Sequence, residues 1–144
     1  MGNRAVITIV DEEAKNNFNE ENIGVYLHWN GGYDSVNAFL SYCKLKGYRQ
    51  PESDNYGWAR LCQVIGNFFG GDCSVGIDQC KNLDCDNWDN GVYLIKDWKI
   101  VGRVYHEGRE QGEYDLLEFL EEIDNRMPEK ERLGSDYIKE HYKM

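Results

Sequence analysis

The chain holds 144 residues with a formal charge of −10, and 41% of its residues are hydrophobic and 13% aromatic. That size suits one domain able to bury a core without disulfides or metals, and the apolar content excludes a disordered acidic tail. The charge argues against direct binding to nucleic acid or to membrane phosphates, which repel a compact acidic protein, and it favours basic protein surfaces.

The opening stretch, MGNRAVITIVDEE, contains no apolar run of secretory length, and no window approaches a membrane span. Met1-Gly2 begins like a myristoylation signal, but Val6 stands where that motif wants Ser or Thr. Five cysteines (Cys43, Cys62, Cys73, Cys80, Cys85) are an odd number. Together these features predict a cytoplasmic protein with free thiols.

Ala5–Val10 is β-branched and short, a predicted strand, and the acidic, asparagine-rich DEEAKNNFNEEN after it reads as a loop. Gly24–Trp29 is a second predicted strand, closed by the Asn30-Gly31 turn dipeptide. Asp34 or Ser35 can cap a helix running to about Lys46, with Val36, Phe39, Leu40 and Cys43 on one face, and Gly47 stops it. A second helix starts near Ser53 or Asp54, carries the stripe Trp58, Leu61, Cys62, Ile65 and Phe69, and ends at Gly70-Gly71. Ser74–Ile77 reads as a short strand, and Val92–Ile95 with Ile100–Tyr105 as a hairpin around Lys96-Asp97-Trp98-Lys99. A helix over Tyr114–Arg126 places Leu116, Leu120, Ile123 and Met127 on one face, and SDYIKEHYKM can form a short terminal helix. The expected fold is one α+β domain, residues 1–144, with a mainly antiparallel sheet packed by three or four helices.

Residues 110 to 124 hold seven carboxylates and no lysine or arginine. The helix dipole favours Glu113 and Asp115 near the N-terminal end but opposes Glu121, Glu122 and Asp124 near the other. Glu118, Glu121 and Glu122 are expected on the solvent face, forming a mutually repelling row that can imitate a phosphate backbone. The plain alternative is a solvated face of an acidic protein.

Three other constellations bear weighing. His28, Trp29, Asn30, Tyr33 and Asp34 cluster beside Gly31 and Gly32, where a ligand could approach backbone, but no phosphate fingerprint or nucleophile motif accompanies them. Asp84, Asp86 and Asp89 supply hard oxygens before Gly91, as a calcium loop does, yet Trp88 breaks the spacing and no glutamate closes the loop. Cys73, Cys80 and Cys85 lack a CxxC pair or a finger-spaced histidine. No catalytic residue, resident metal or cofactor is therefore expected.

Met1-Gly2-Asn3-Arg4-Ala5-Val6-Ile7, Gly24-Val25-Tyr26-Leu27-His28-Trp29-Asn30-Gly31-Gly32 and Ile65-Gly66-Asn67-Phe68-Phe69-Gly70-Gly71 together resemble a family of small uncharacterised proteins of phages and mobile elements of Gram-positive bacteria. The resemblance covers roughly residues 1 to 105 and carries no activity with it. Its setting implies inhibitors of host defence, of anti-CRISPR or antirestriction type. The expectation is thus a non-enzymatic inhibitor docking on a basic protein surface of a nuclease complex. Glu113, Asp115, Glu118, Glu121, Glu122 and Asp124 would supply the charge, and Trp29 or Tyr33 an aromatic anchor. A small enzyme or ligand-binding domain at His28-Trp29-Asn30, and a calcium module, are the alternatives.

Overall fold

Alternation decides the sheet. In β1 (Ala5–Ile9) Ala5 and Ile7 enter one apolar cluster while Val6 enters another on the opposite face. β4 (Val92–Lys96) does the same, with Tyr93 and Ile95 on one side and Val92 and Leu94 on the other. The computed structural model, which describes residues 2–71, 74–107, 110 and 112–143, pairs these two strands in parallel at the middle of a five-stranded sheet. β2 (Ile23–Leu27) flanks β1 antiparallel, β3 (Val75–Gln79) flanks β2, and β5 (Lys99–Val104) flanks β4, giving the order β3-β2-β1-β4-β5. The fold is α+β with a mostly antiparallel sheet.

Helices α1 (Tyr33–Leu45), α2 (Asn55–Phe69), α3 (Leu116–Arg126) and α4 (Ser135–His141) contribute to the larger cluster. The smaller cluster is closed by loop residues, chiefly Phe18, Leu83 and Cys85. Cys43, Cys62, Cys80 and Cys85 are free thiols, and Cys73 lies outside the described residues.

The start of α1 differs from the expected side-chain cap. Its N-cap is Gly32, with no side-chain hydrogen bond, and Asp34 instead accepts from the Ser35 amide at 2.8 Å. Close packing sets this turn: a Cβ on Gly31 would lie 2.5 Å from the Asn3 carbonyl and 2.8 Å from Ala5 Cβ. The Tyr93 hydroxyl also donates to the Gly31 carbonyl at 2.7 Å. Helix α2 begins as expected, with Asp54 accepting from the Tyr56 amide. Its buried stripe is rotated, however: Val64 and Phe68 are buried, while Cys62 and Phe69 lie at the margin. Phe68 turns inward because it stacks on Phe119 of α3 at 5.6 Å and meets Phe39 of α1 edge-on at 5.4 Å.

The β4–β5 turn places Asp97 and Trp98 at φ 52° and 60°, the left-handed geometry that suits a two-residue hairpin. Trp98 offsets that backbone strain by burial: its indole is nearly enclosed and its Nε1–H donates to the Tyr48 carbonyl at 3.0 Å. Asp97 accepts from Lys44 and Gln50, fixing the turn against α1 and the segment after it.

Asp124 departs from the solvated row expected of α3. Only 3% exposed, it accepts from the Tyr42 hydroxyl at 2.5 Å and from the Leu133 and Gly134 amides at 2.8 and 3.0 Å. Burial first, and then this bond, push the Tyr42 phenol above its ordinary pKa, so it remains a donor. One carboxylate thereby joins α1, α3 and the connection to α4. Asp124→Ala strands the hydroxyl and both amides and is expected to destabilise by about 3 kcal/mol, whereas Tyr42→Phe should cost about 1.5 kcal/mol. Glu118→Lys, on the exposed side, should stay within about 0.5 kcal/mol. Urea unfolding of the three variants checks this order.

Candidate functional site

The acidic helix is internally engaged along much of its length. Asp115 is the N-cap of α3 and accepts from the Glu118 amide at 3.0 Å. Glu121 is half-buried and accepts from the Ser135 hydroxyl, and Glu122 pairs with Arg126, one turn on, at 3.1 Å. With Asp124 turned inward, Glu113 and Glu118 are the members of the expected set that carry no side-chain ion pair or hydrogen bond among the described residues. Asp115, Glu118 and Glu122 still line a shallow groove of about 220 Å³ together with Asp34 and Tyr114.

The aromatic turn is divided. The imidazole Nδ1 of His28 meets the Tyr26 hydroxyl at 3.1 Å, and Trp29 stands edge-on to that ring at 4.8 Å, 41% exposed. Asn30 donates to the Ser35 hydroxyl oxygen. Tyr33 points elsewhere, half-buried near Tyr93 and Tyr114. The Tyr26 hydroxyl is the side-chain group bonded to the His28 ring among the described residues, and no serine, threonine or cysteine is bonded to it.

The Asp84–Gly91 segment is built around an asparagine. Asn87, fully buried, donates to the Asp84 and Gly91 carbonyls and accepts from the Asp89 and Gly91 amides, holding the loop from inside. Arg4 stands where a calcium loop would place its cation: its Nε donates to Asp89 at 2.8 Å and its Nη1 reaches Asp84 at 3.4 Å. Among the described residues no three His, Cys, Asp or Glu side chains gather as a metal-sized group. At the far end Arg103 donates to the Asn90 carbonyl at 2.6 Å. Gly91 sits at φ 65° where a Cβ would run into the Val104 and Tyr105 carbonyls.

This frame holds Trp88 out of the protein. The residue has a φ of 64° and is 92% exposed. A bulky side chain in that region costs about 1–2 kcal/mol, and such strain persists where surrounding bonds over-determine it. Tyr105, at φ 57° and half-exposed, shares with Trp88 a concavity of about 410 Å³ whose other walls are Asp86, Asp89 and Glu107. A second groove of about 290 Å³ continues past Tyr105 and Asp86 to Phe18 and Glu20. Phe18 meets Tyr105 edge-on at 6.2 Å. Arg4 pairs with both Asp84 and Asp89 and offsets one of their two charges, and this face also carries Asp86, Glu107 and Glu20, which form no ion pair among the described residues.

Sequence reasoning treats Trp88 only as a break in calcium spacing. The signal was present in its neighbours: a tryptophan among Asp, Asn and Gly has turn-forming residues around it and no apolar partner in register to bury it. Among the described residues no helix is long and apolar enough to cross a membrane. In comparisons with protein-family models, curated proteins and solved structures, nothing matches the chain.

The Arg4 side chain, and then its backbone amide, hold the Asp89 carboxyl below the usual carboxylate range. A depressed folded pKa contributes stability that is present above the unfolded value of about 3.9 and is lost as pH falls through the folded one. An NMR titration should therefore place the Asp89 midpoint below that value, and Arg4→Gln should move it upward.

Proposed function

We propose that this protein is a non-enzymatic binder that docks an acidic face centred on Trp88 onto a basic protein surface. The target class that best fits a −10 chain is a nuclease complex whose cationic channel ordinarily takes nucleic acid, which makes the protein an inhibitor of anti-CRISPR or antirestriction type acting in the cytoplasm. The carrying observation is a tryptophan 92% exposed on a hydrogen-bonded loop, beside Tyr105 and rimmed by Asp86 and Glu107. Tryptophan and tyrosine bury large areas with few rotatable bonds and dominate many interfaces. The surrounding carboxylates steer approach and reject acidic competitors. The target class rests on the charge and on the setting implied by the resemblance over roughly residues 1 to 105, and the surface itself supports the mode of binding.

The test is a panel of purified CRISPR effector and restriction complexes, each assayed for DNA binding with the protein present at low and moderate salt. A salt-sensitive inhibition is expected from at least one complex. Trp88→Ala should weaken that binding by about 2 kcal/mol or more, mainly by faster dissociation. Asp86→Lys with Glu107→Lys should instead slow association at low salt, while Glu113→Lys with Glu118→Lys should change little. If the helix pair weakens binding and Trp88→Ala does not, the docking face is the α3 groove. If no complex is inhibited, the nuclease reading falls.

A further inference from the structure

The chain has ten more acidic than basic residues, yet one cleft is lined by cations and, among the described residues, by no carboxylate. It lies between α1, the start of β5, the first turn of α3 and the end of α4, with a volume of about 360 Å³. Three of the nine lysines line it, Lys44, Lys99 and Lys143, together with His141. We infer that this cleft binds a small phosphomonoester carrying a planar ring, of the size of a nucleoside monophosphate. The site shares no residue with the Trp88 face and its existence is independent of the docking reading.

Charge accounting selects the anion. Lys44 is already balanced by Asp97 at 3.1 Å. Lys99 forms no ion pair among the described residues, and neither does Lys143, whose ammonium lies 5.6 Å from the Tyr142 ring. Two uncompensated ammonium groups match a phosphomonoester, which carries about −1.5 to −2 near neutral pH, better than a single carboxylate. His141 stacks on Tyr137 at 4.2 Å with Nδ1 facing the Tyr137 carbonyl at 3.0 Å. That leaves Nε2 for the ligand, as an acceptor from a protonated phosphate oxygen or as a donor in the imidazolium.

The remaining walls select the body of the ligand. Ser41 supplies a hydroxyl that has no hydrogen bond among the described residues, while Tyr33, Ile100, Leu116 and Tyr142 supply aromatic and aliphatic surface. A few convergent polar groups over an apolar floor, at this volume, are the usual composition of a small-molecule site. The negative end of the α4 dipole gives a local reason for cations on α4 itself. It gives none for Lys99, which arrives from β5, or for the absence of carboxylates from the described lining.

The experiment titrates the protein with adenosine monophosphate, adenosine and inorganic phosphate, following the Trp98 indole and His141 ring resonances by NMR. The nucleotide should shift both at millimolar concentration and bind more tightly than either fragment. Lys99→Glu and Lys143→Glu should each weaken it by about tenfold or more, the scale of one charge-assisted hydrogen bond. Lys81→Glu, whose lysine pairs with Glu21 elsewhere, should bind as wild type does. No shift with the nucleotide, or wild-type affinity in both cleft variants, overturns the site. Phosphate binding as tightly as the nucleotide overturns the ring assignment, and adenosine binding as tightly overturns the anion assignment.

Discussion

The two-sided burial of β1 and β4 is the constraint on which the molecule is organised. Central strands that are apolar on both faces need a cover on each. On one face the four helices provide it, with Val36, Phe39, Leu61, Ile65, Leu120 and Ile123 all essentially inaccessible. On the other, among the described residues, there is no helix longer than a single 3-10 turn, and the cover is made by polar, acidic loops that each surrender one or two apolar residues inward: Phe18, Leu83 and Cys85. The burial of so few side chains, at about 1.5–3 kcal/mol each, makes the second core thin. Its loops are correspondingly held by hydrogen bonds, from Asn87 within and from Arg4, Asn90 and Arg103 at the margins.

That arrangement ties the proposed docking face to the fold. A loop that must close a core cannot move freely, and a side chain pointing away from such a loop is presented in one orientation. Preorganisation of this kind lowers the entropy lost on association, so a modest aromatic surface can suffice. The acidic residues of α3 stand in a different relation to the core. Asp115 and Asp124 begin the helix and anchor its far half, Glu122 pairs along it, and their charge is in large part used by the protein itself.

Much of the sheet was legible from β-branched runs between turn signals, with strand ends displaced by only a residue or two, as at Val92–Lys96 and Lys99–Val104. The helices were legible from apolar spacing, but their rotation was not: only the aromatic neighbours Phe39 and Phe119 bring Phe68 inward in place of Phe69. Asp124 shows a different limit. It stands one turn beyond Leu120 on the same face, while its charge argues for solvent, where the acidic row is expected. The amides that satisfy it belong to residues nine and ten positions later, a partnership that no local pattern reveals. The Trp88 face was hidden for a related reason, because Tyr105 and Phe18 reach it from distant segments. The cationic cleft likewise gathers side chains from separate segments of the chain, so no single local run of residues announces it.

The parallel pairing of β1 with β4 also sets a timetable. Val6 lies opposite Val92, so β1 waits until β4, the fourth strand in chain order, is made before its second neighbour exists. Until then the edge of β1 that takes β4 has no strand to pair with. Closing so long a loop defers the contacts that reward it, which slows assembly relative to a sheet of consecutive hairpins. The acidic stretch that follows β1, from Asp11 to Glu21, places several negative charges beside that edge throughout the wait. Charges of one sign beside an unpaired strand edge are the kind of flank that disfavours edge-to-edge pairing between copies.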